Sequence, residues 1–361
     1  MEPIQALMGA GFLHEDPRDL RDAVPDILAN KAGIRDKHMH PVARRLLAQG
    51  VTLTDIAATI GREIKGAQGE RDISPFNAAD FAITTDDMAK VLADSVERII
   101  SQSYGGARDH LSLVTRIATG DYKPVQLPEL DVDDDLSRVF EGGEDDLEMT
   151  GVSITGGEKA SLKTFGRALA ISRRVLLSDH EGSLDLLARR LGDSAARNEA
   201  NEVYKIISDN PTLEDGSALW SGDSFVNSGE TGLTAEALRQ GMAALRNQKT
   251  VGGHYGNFSP RTLLVSPAKE QTALELVRSI STSAPRLRVV ASPWLSDGAV
   301  YLFASPDTAP VIGLLTLDGE DAPSASVTPR RDNIHRRQIL QIWQDVGATA
   351  VSRRGAVKVT V

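Results

Sequence analysis

The stretch from Ser183 to Asp209 contains no proline, and Asn210-Pro211 closes it. Leu184, Leu187, Ala188, Leu191, Ala195 and Ile206 share one stripe of a helical wheel, and Arg189, Arg190, Asp193 and Arg197 fall mostly outside it. About 27 residues at ~1.5 Å each span roughly 40 Å as a helix. That is long for a globular helix and suits a spine. The chain reaches it through an extended run, Ser161 to Arg173, and a polar hinge at Leu177-Ser-Asp-His-Glu-Gly182. After the proline comes Leu213-Glu-Asp-Gly-Ser-Ala-Leu-Trp220. Glu199 lies at the edge of the stripe, where it reads as a partner for a nearby arginine rather than a catalytic acid. A long helix launched from a strand, with no catalytic constellation beside it, reads as a building block.

Upstream, residues 1–75 show short helical patches broken by glycine and proline. Thr84-Thr-Asp-Asp87 offers capping oxygens and early negative charge to a helix carrying Met88, Leu92, Val96 and Ile99 on one face, with Gly105-Gly106 at its end. Residues 117–173 are extended and flank an acidic run. Between Glu129 and Glu148 stand ten acids and one base, Arg138. This pattern predicts a long β-hairpin with an acidic outer part. A two-stranded hairpin has little core of its own and is marginal in water, so it is expected to lie against something else, such as another subunit.

Downstream, the pattern alternates. Helices are predicted over Thr234 to Gln248 and Ala268 to Ser281, and strands at Arg261–Ser266, Arg286–Ala291, Ala299–Ala304 and Val311–Thr316. Together they make a compact α/β unit. The end of the chain reads as separate strands, Gln338–Gln344, Ala348–Ser352 and Ala356–Val361.

Composition narrows the function. With no cysteine, the chain has no disulfide, no thiolate nucleophile and no cysteine-ligated metal. A net charge of −10 argues against a protein that grips nucleic acid through a basic face. No apolar run approaches the roughly 18–20 residues of a membrane span. The seven histidines are scattered, and no metal-ligand spacing, nucleophile elbow or phosphate-loop spacing is present. Thr52 to Gly61 resembles the start of a helix-turn-helix, but glycines at 66 and 69 stop the segment before a basic reading helix forms. Six arginine pairs recur, at 44–45, 173–174, 189–190, 330–331, 336–337 and 353–354. Surface charge, nucleic acid and pairing with the acidic hairpin across subunits each account for them, the last because a guanidinium fork matches a carboxylate.

Across 161–220 the sequence resembles the major capsid proteins of tailed bacteriophages, in the group often fused to or encoded with a prohead protease. Thr164-Phe-Gly-Arg167, Ala170-Ile-Ser-Arg173, Ser178-Asp179, Leu191–Glu199, Val203-Tyr204, Asn210-Pro-Thr-Leu213 and Asp215–Trp220 carry the resemblance. Pro260–Pro267 and Val346-Gly-Ala-Thr-Ala350 extend it towards the end of the chain. It implies an α+β chain with the Hong Kong 97-like capsid fold. The parts would be an N-terminal helical arm or scaffold-like segment (1–75), an N-arm and helix (76–116) and an extended β-hairpin loop (117–173). They continue with the spine helix of a peripheral domain (174–219), an axial α/β domain (220–323) and closing strands of the peripheral domain (324–361).

The implied function is a major head protein, not an enzyme, that assembles into hexamers and pentamers of an icosahedral shell in the host bacterial cytoplasm. Its partners would be copies of itself, scaffold or prohead protease, portal and decoration proteins. DNA would be enclosed without sequence-specific binding, no membrane would be involved, and no cofactor or metal is implied. Candidate intersubunit contacts are the acids Asp131, Asp133, Asp134, Asp135, Glu141, Glu144, Asp145 and Asp146 and the arginines Arg189, Arg190, Arg336 and Arg337. The competing readings are an enzyme built on residues 220–318 and a DNA-binding regulator using residues 52–65.

Overall fold

A computed structural model of the chain describes residues 17–31, 39–51, 53–68, 77–78, 86–106, 108–126, 129–131, 153–155, 159–172, 183–250, 253–280, 287–318, 322–331 and 336–361. In chain order its helices are α1 (Pro17–Lys31), α2 (Pro41–Ala48), α3 (Leu53–Ala67), α4 (Asp86–Gly106), α5 (Ser183–Asp209), α6 (Ala235–Asn247) and α7 (Glu270–Ile280). The first strands are β1 (Val114–Thr119), β2 (Val125–Gln126), β3 (Glu129–Asp131), β4 (Ser153–Thr155), β5 (Lys159–Ala160), β6 (Lys163–Ser172) and β7 (Phe225–Asn227). The rest are β8 (Thr262–Val265), β9 (Arg288–Ala291), β10 (Ala299–Phe303), β11 (Ile312–Leu317), β12 (Ser324–Arg331), β13 (Arg336–Ala350) and β14 (Ala356–Thr360). The fold is α+β and divides into two compact units, to both of which α5 and β13 contribute residues.

The first unit takes in Met1–Ala107, Thr164–Arg197 and Glu320–Asp345. Its core gathers Leu20, Val24 and Ile27 of α1, Leu46 of α2, Ile56 and Ile60 of α3 and Leu92, Val96 and Ile100 of α4. Leu184, Ala188 and Leu191 of α5 and Leu340 and Ile342 of β13 complete it. Each such side chain, fully buried, contributes about 1.5–3 kcal/mol, so α1–α3 are held as core and not as a loose appendage. Gly50, at φ +69, ends α2: its N–H donates to Leu47 O and that of Val51 to Leu46 O, the left-handed cap that glycine adopts without strain. The buried Asp26 carboxylate accepts from the His40 N–H and from Arg98 Nη1. That charge-assisted pair ties α1 to α4 and to the start of α2. At Gly192 a Cβ would stand 2.5 Å from the Ile100 carbonyl oxygen, so only glycine lets α5 lie this close to α4.

The second unit takes in Arg108–Lys163, Asn198–Gly319 and Val346–Val361. Its five-stranded sheet has the order β7-β14-β10-β8-β9, with β8 and β10 buried along their whole lengths. Thr234 caps α6 by accepting from the Ala237 N–H, and Gly241 brings the helix onto Val359 and Leu302 of the sheet. Elsewhere β1 runs parallel to β11, and β11 pairs antiparallel with the Val346–Ala350 half of β13. A narrow ladder follows β1: β2 pairs with β5 and β3 with β4, both antiparallel and both two-stranded.

The end of α5 explains the Asn-Pro signal. Asn210 takes a left-handed φ of +50, Pro211 bars further helix, and Asn210 Oδ1 accepts from the Trp220 N–H at 2.7 Å. Trp220 Nε1 in turn donates to Ile207 O at 2.8 Å, and its ring packs on Tyr301 and Phe303. The motif from 210 to 220 is thus a clasp over the last helical turn.

Several elements differ from the expectation. The last strands are not separate before residue 350: β13 runs unbroken through Asp345-Val-Gly347. Gly347 makes this possible, because a Cβ there would stand 2.3 Å from the Ser161 carbonyl oxygen. The strand at 311–316 does not join the α/β sheet but pairs with β1 and β13. Its place in that sheet is filled by β14, between β7 and β10. Runs such as Ile312–Leu315 are apolar on both faces and carry no alternation that assigns them to one sheet or another. The buried face of α5 also shifts after Gly192, to Ala196 in the first unit and to Ala200, Val203 and Ile207 in the second, in place of Ala195 and Ile206.

Candidate assembly surface

Arg189 and Arg190 stand on the exposed side of α5, opposite Ala188 and Leu191 in the core. Arg336 and Arg337 open β13, and the register sets Arg336 opposite Arg331 and Arg337 opposite Arg330. Two of the arginine pairs therefore meet at one end of the β12–β13 ladder. The side chains of residues 330, 331, 336 and 337 lie outside the described part of the structure. Arg189, Arg190, Arg336 and Arg337 all belong to the first unit.

The acids divide differently. Asp131 is the last residue of β3, opposite Ser153, in the second unit; its side chain lies outside the described part. Asp133, Asp134, Asp135, Glu141, Glu144, Asp145 and Asp146 lie outside the described residues altogether. What the structure does show is the root of the acidic hairpin, paired from Val125↔Ala160 to Asp131↔Ser153. The expected hairpin of 117–173 is shorter at its root, since residues up to Thr119 pair with β11 and those after Lys163 run in β6, which pairs with β13.

Glu199 is the one acid of α5 with no exposure at all. Its Oε1 accepts from Arg108 Nε at 3.0 Å and Nη2 at 2.7 Å, and lies 2.6 Å from His110 Nε2. His110 is buried as well, and the Arg108 side chain is nearly so. Next to them Asp109 pairs with Arg288 at 3.0 Å on the surface. The cluster is closed to solvent and its valences are used by the fold, so the geometry is that of a tie and not of a site open to substrate. The expectation of an arginine partner for Glu199 holds; Arg108 and His110 carried no sequence signal.

The regulator reading places its DNA contacts on residues 52–65. Ile56, Ala57, Ala58, Thr59, Ile60 and Gly61 of that segment are buried in succession, and a Cβ on Gly61 would collide with the Ala78 carbonyl. Along 56–61 the helix is enclosed and has no face to lay in a groove, while Arg62 and Glu63 after it are exposed. Among the described residues no group of three or more histidine or acidic side chains is placed to hold a metal ion, and no helix is long and apolar enough to cross a membrane.

A family model described as phage capsid protein matches residues 157–359. The matched segment begins inside the hairpin root and includes α5, the sheet of the second unit and all but the last residue of β14. No curated protein matches the sequence. Among solved structures, the chain is similar to the capsid of an empty GTA particle at 11% identity and TM-score 0.48, covering 70% of this chain and 89% of that one. It is also similar to the capsid of cyanophage P-SCSP1u at 12% identity and TM-score 0.46, covering 70% and 88%. A third likeness is to Mycobacterium phage Patience at 13% identity and TM-score 0.45, covering 77% and 90%. At these scores the family match alone carries the assignment, and it favours neither the enzyme nor the regulator.

Proposed function

The chain belongs to the phage capsid protein family and is a capsid shell protein, and from that premise we propose that it assembles into the hexamers and pentamers of an icosahedral shell enclosing phage DNA. The carrying observation is the family match across 157–359. The role is structural and not catalytic. The arrangement of parts is the Hong Kong 97-like one, with α5 as the spine and the β2–β5 and β3–β4 ladder as the extended loop. Assembly takes place in the host bacterial cytoplasm, with scaffold or prohead protease, portal and decoration proteins as further partners.

The hairpin is the intersubunit device of this reading. A ladder only two strands wide buries too little to hold itself in water, so it gains most by lying on a neighbour. Its acidic outer run from Glu129 to Glu148 is complementary to Arg189 and Arg190 of α5 and to the four-arginine end of β12–β13 in an adjacent copy. Extended loops of this kind add interface area without a larger core. Negative-stain electron microscopy of the purified chain tests the proposal: shells or capsomer rings are expected, and a monomer with no higher species at working concentration overturns it.

A further inference from the structure

One cavity of the second unit is lined by polar and cationic side chains and is unused by the assembly reading. It has a volume of about 330 Å³, and Ser221, Lys249, Thr250, Arg353 and Arg354 stand around it. Gln248 forms its floor: the buried amide donates to Asp223 O and Ala356 O and accepts from the Gly355 N–H, fixing the end of α6 to the start of β14. The cations therefore rise from a braced frame. Arg354 Nε donates to Lys249 O at 3.1 Å, which holds the two cationic residues side by side. Arg353 pairs with Asp215 at 3.1 Å, with both side chains partly exposed. A pair of this kind is worth only about 0–1 kcal/mol, so the guanidinium exchanges partners at little cost.

Two observations point to an anionic ligand. The lining carries three cations, Lys249, Arg353 and Arg354, against one lining carboxylate, Asp223, a formal excess of two positive charges. The hydroxyl of Thr250 is buried and has no hydrogen-bond partner among the described residues, a cost of ~1–3 kcal/mol unless something fills the site. We propose that this cavity binds a phosphate group. A tetrahedral phosphate offers oxygens in several directions at once. That suits donors converging from the turn after α6 and the turn before β14 better than a planar carboxylate does. Guanidinium and ammonium groups beside a hydroxyl are the usual partners of phosphate oxygens, and the charge of a phosphate monoester near neutrality offsets the excess. The volume leaves room for the group that carries the phosphate, whether a free nucleotide or a nucleic-acid backbone.

The test uses the full chain. Inorganic phosphate is titrated by calorimetry at constant ionic strength, with chloride as the control. Saturable binding to the wild type is expected, weakened at least tenfold in Lys249→Glu and in Arg353→Ala. Lys249 is exposed, so the first variant leaves the fold intact should the second disturb it. Competition by a short oligothymidylate assigns the phosphate to a nucleic-acid backbone, and competition by a mononucleotide alone assigns it to a small molecule. Absence of saturable phosphate binding, or equal binding by wild type and both variants, overturns the proposal. Shell formation is a separate readout, so either idea can fail without the other.

Discussion

Two nitrogens of Arg108, Nε at 3.0 Å and Nη2 at 2.7 Å, donate to a single oxygen of Glu199. Neither residue has more than a trace of solvent exposure, and Glu199 has none. A buried pair is weak evidence for net stability, but breaking one side of it is costly, because the other charge stays buried. Glu199→Gln is therefore expected to destabilise the chain by ~3–5 kcal/mol, read as a fall in the urea midpoint at neutral pH. A loss below ~1 kcal/mol would show that the cluster is wet, contrary to its burial.

Gly192 sits in the middle of a 27-residue helix, where propensity alone would favour alanine by about 1 kcal/mol. The contact with α4 reverses the sign. An added Cβ would stand 2.5 Å from the Ile100 carbonyl oxygen and 2.8 Å from Ser103 Cβ. Overpacking of this kind costs ~1–3 kcal/mol, so Gly192→Ala is expected to destabilise on balance. Gly66 near the end of α3 has open space around its missing Cβ, and Gly66→Ala is expected to gain ~0.5–1 kcal/mol. Parallel denaturation curves for the two variants check the contrast; equal effects would refute it.

These two sites also mark what the sequence could tell. The bounds of α5 were legible, because an apolar stripe began at Leu184 and Asn210-Pro211 ended it. Glu199 was legible as an acid in need of a cation, yet its partners lie 91 and 89 residues away, and no local pattern joins them. The break expected at Asp345-Val-Gly347 failed for a similar reason. That glycine reads as a turn until the backbone of Ser161 is placed against it. Residues 17–67 read as separate patches because Pro25 falls inside α1 and Gly61 and Gly66 inside α3, and the shared core with α4 and α5 makes them one body. The acids and arginines of the assembly surface were legible as charge alone, and charge along a chain does not say which residue meets which.

Burial pushes the phenols of Tyr204 and Tyr301 above their ordinary value of 10.0. In the unfolded chain these groups ionise near that ordinary value, while the folded chain keeps their protons longer. Above it the folded state binds more protons, so stability falls as pH rises. Their contribution is complete below about pH 10 and is lost as pH climbs through the folded values. The urea midpoint of Tyr204→Phe,Tyr301→Phe should fall less between pH 9 and pH 11 than that of the wild type, by roughly the two groups' share of the proton uptake. Parallel slopes for the two proteins would contradict the assignment.

The hairpin proposal makes its sharpest claim at Asp133-Asp-Asp135, one of the two stretches of three consecutive acids in the run. Reversing all three to lysine turns attraction to a neighbour's arginines into repulsion. Like-charge contact across an interface costs several kcal/mol, and a shell repeats the penalty at every copy. Shell yield by sedimentation and microscopy is expected to fall at least tenfold. Raising salt from about 0.1 M to about 1 M shortens the screening length from roughly 10 Å to roughly 3 Å and should weaken wild-type assembly in the same direction. The arginine partners separate this from general damage: Arg336→Asp,Arg337→Asp placed in the lysine background should restore part of the yield, which a misfolded hairpin would not allow. Normal shells from the triple lysine variant would remove the acidic run from the interface.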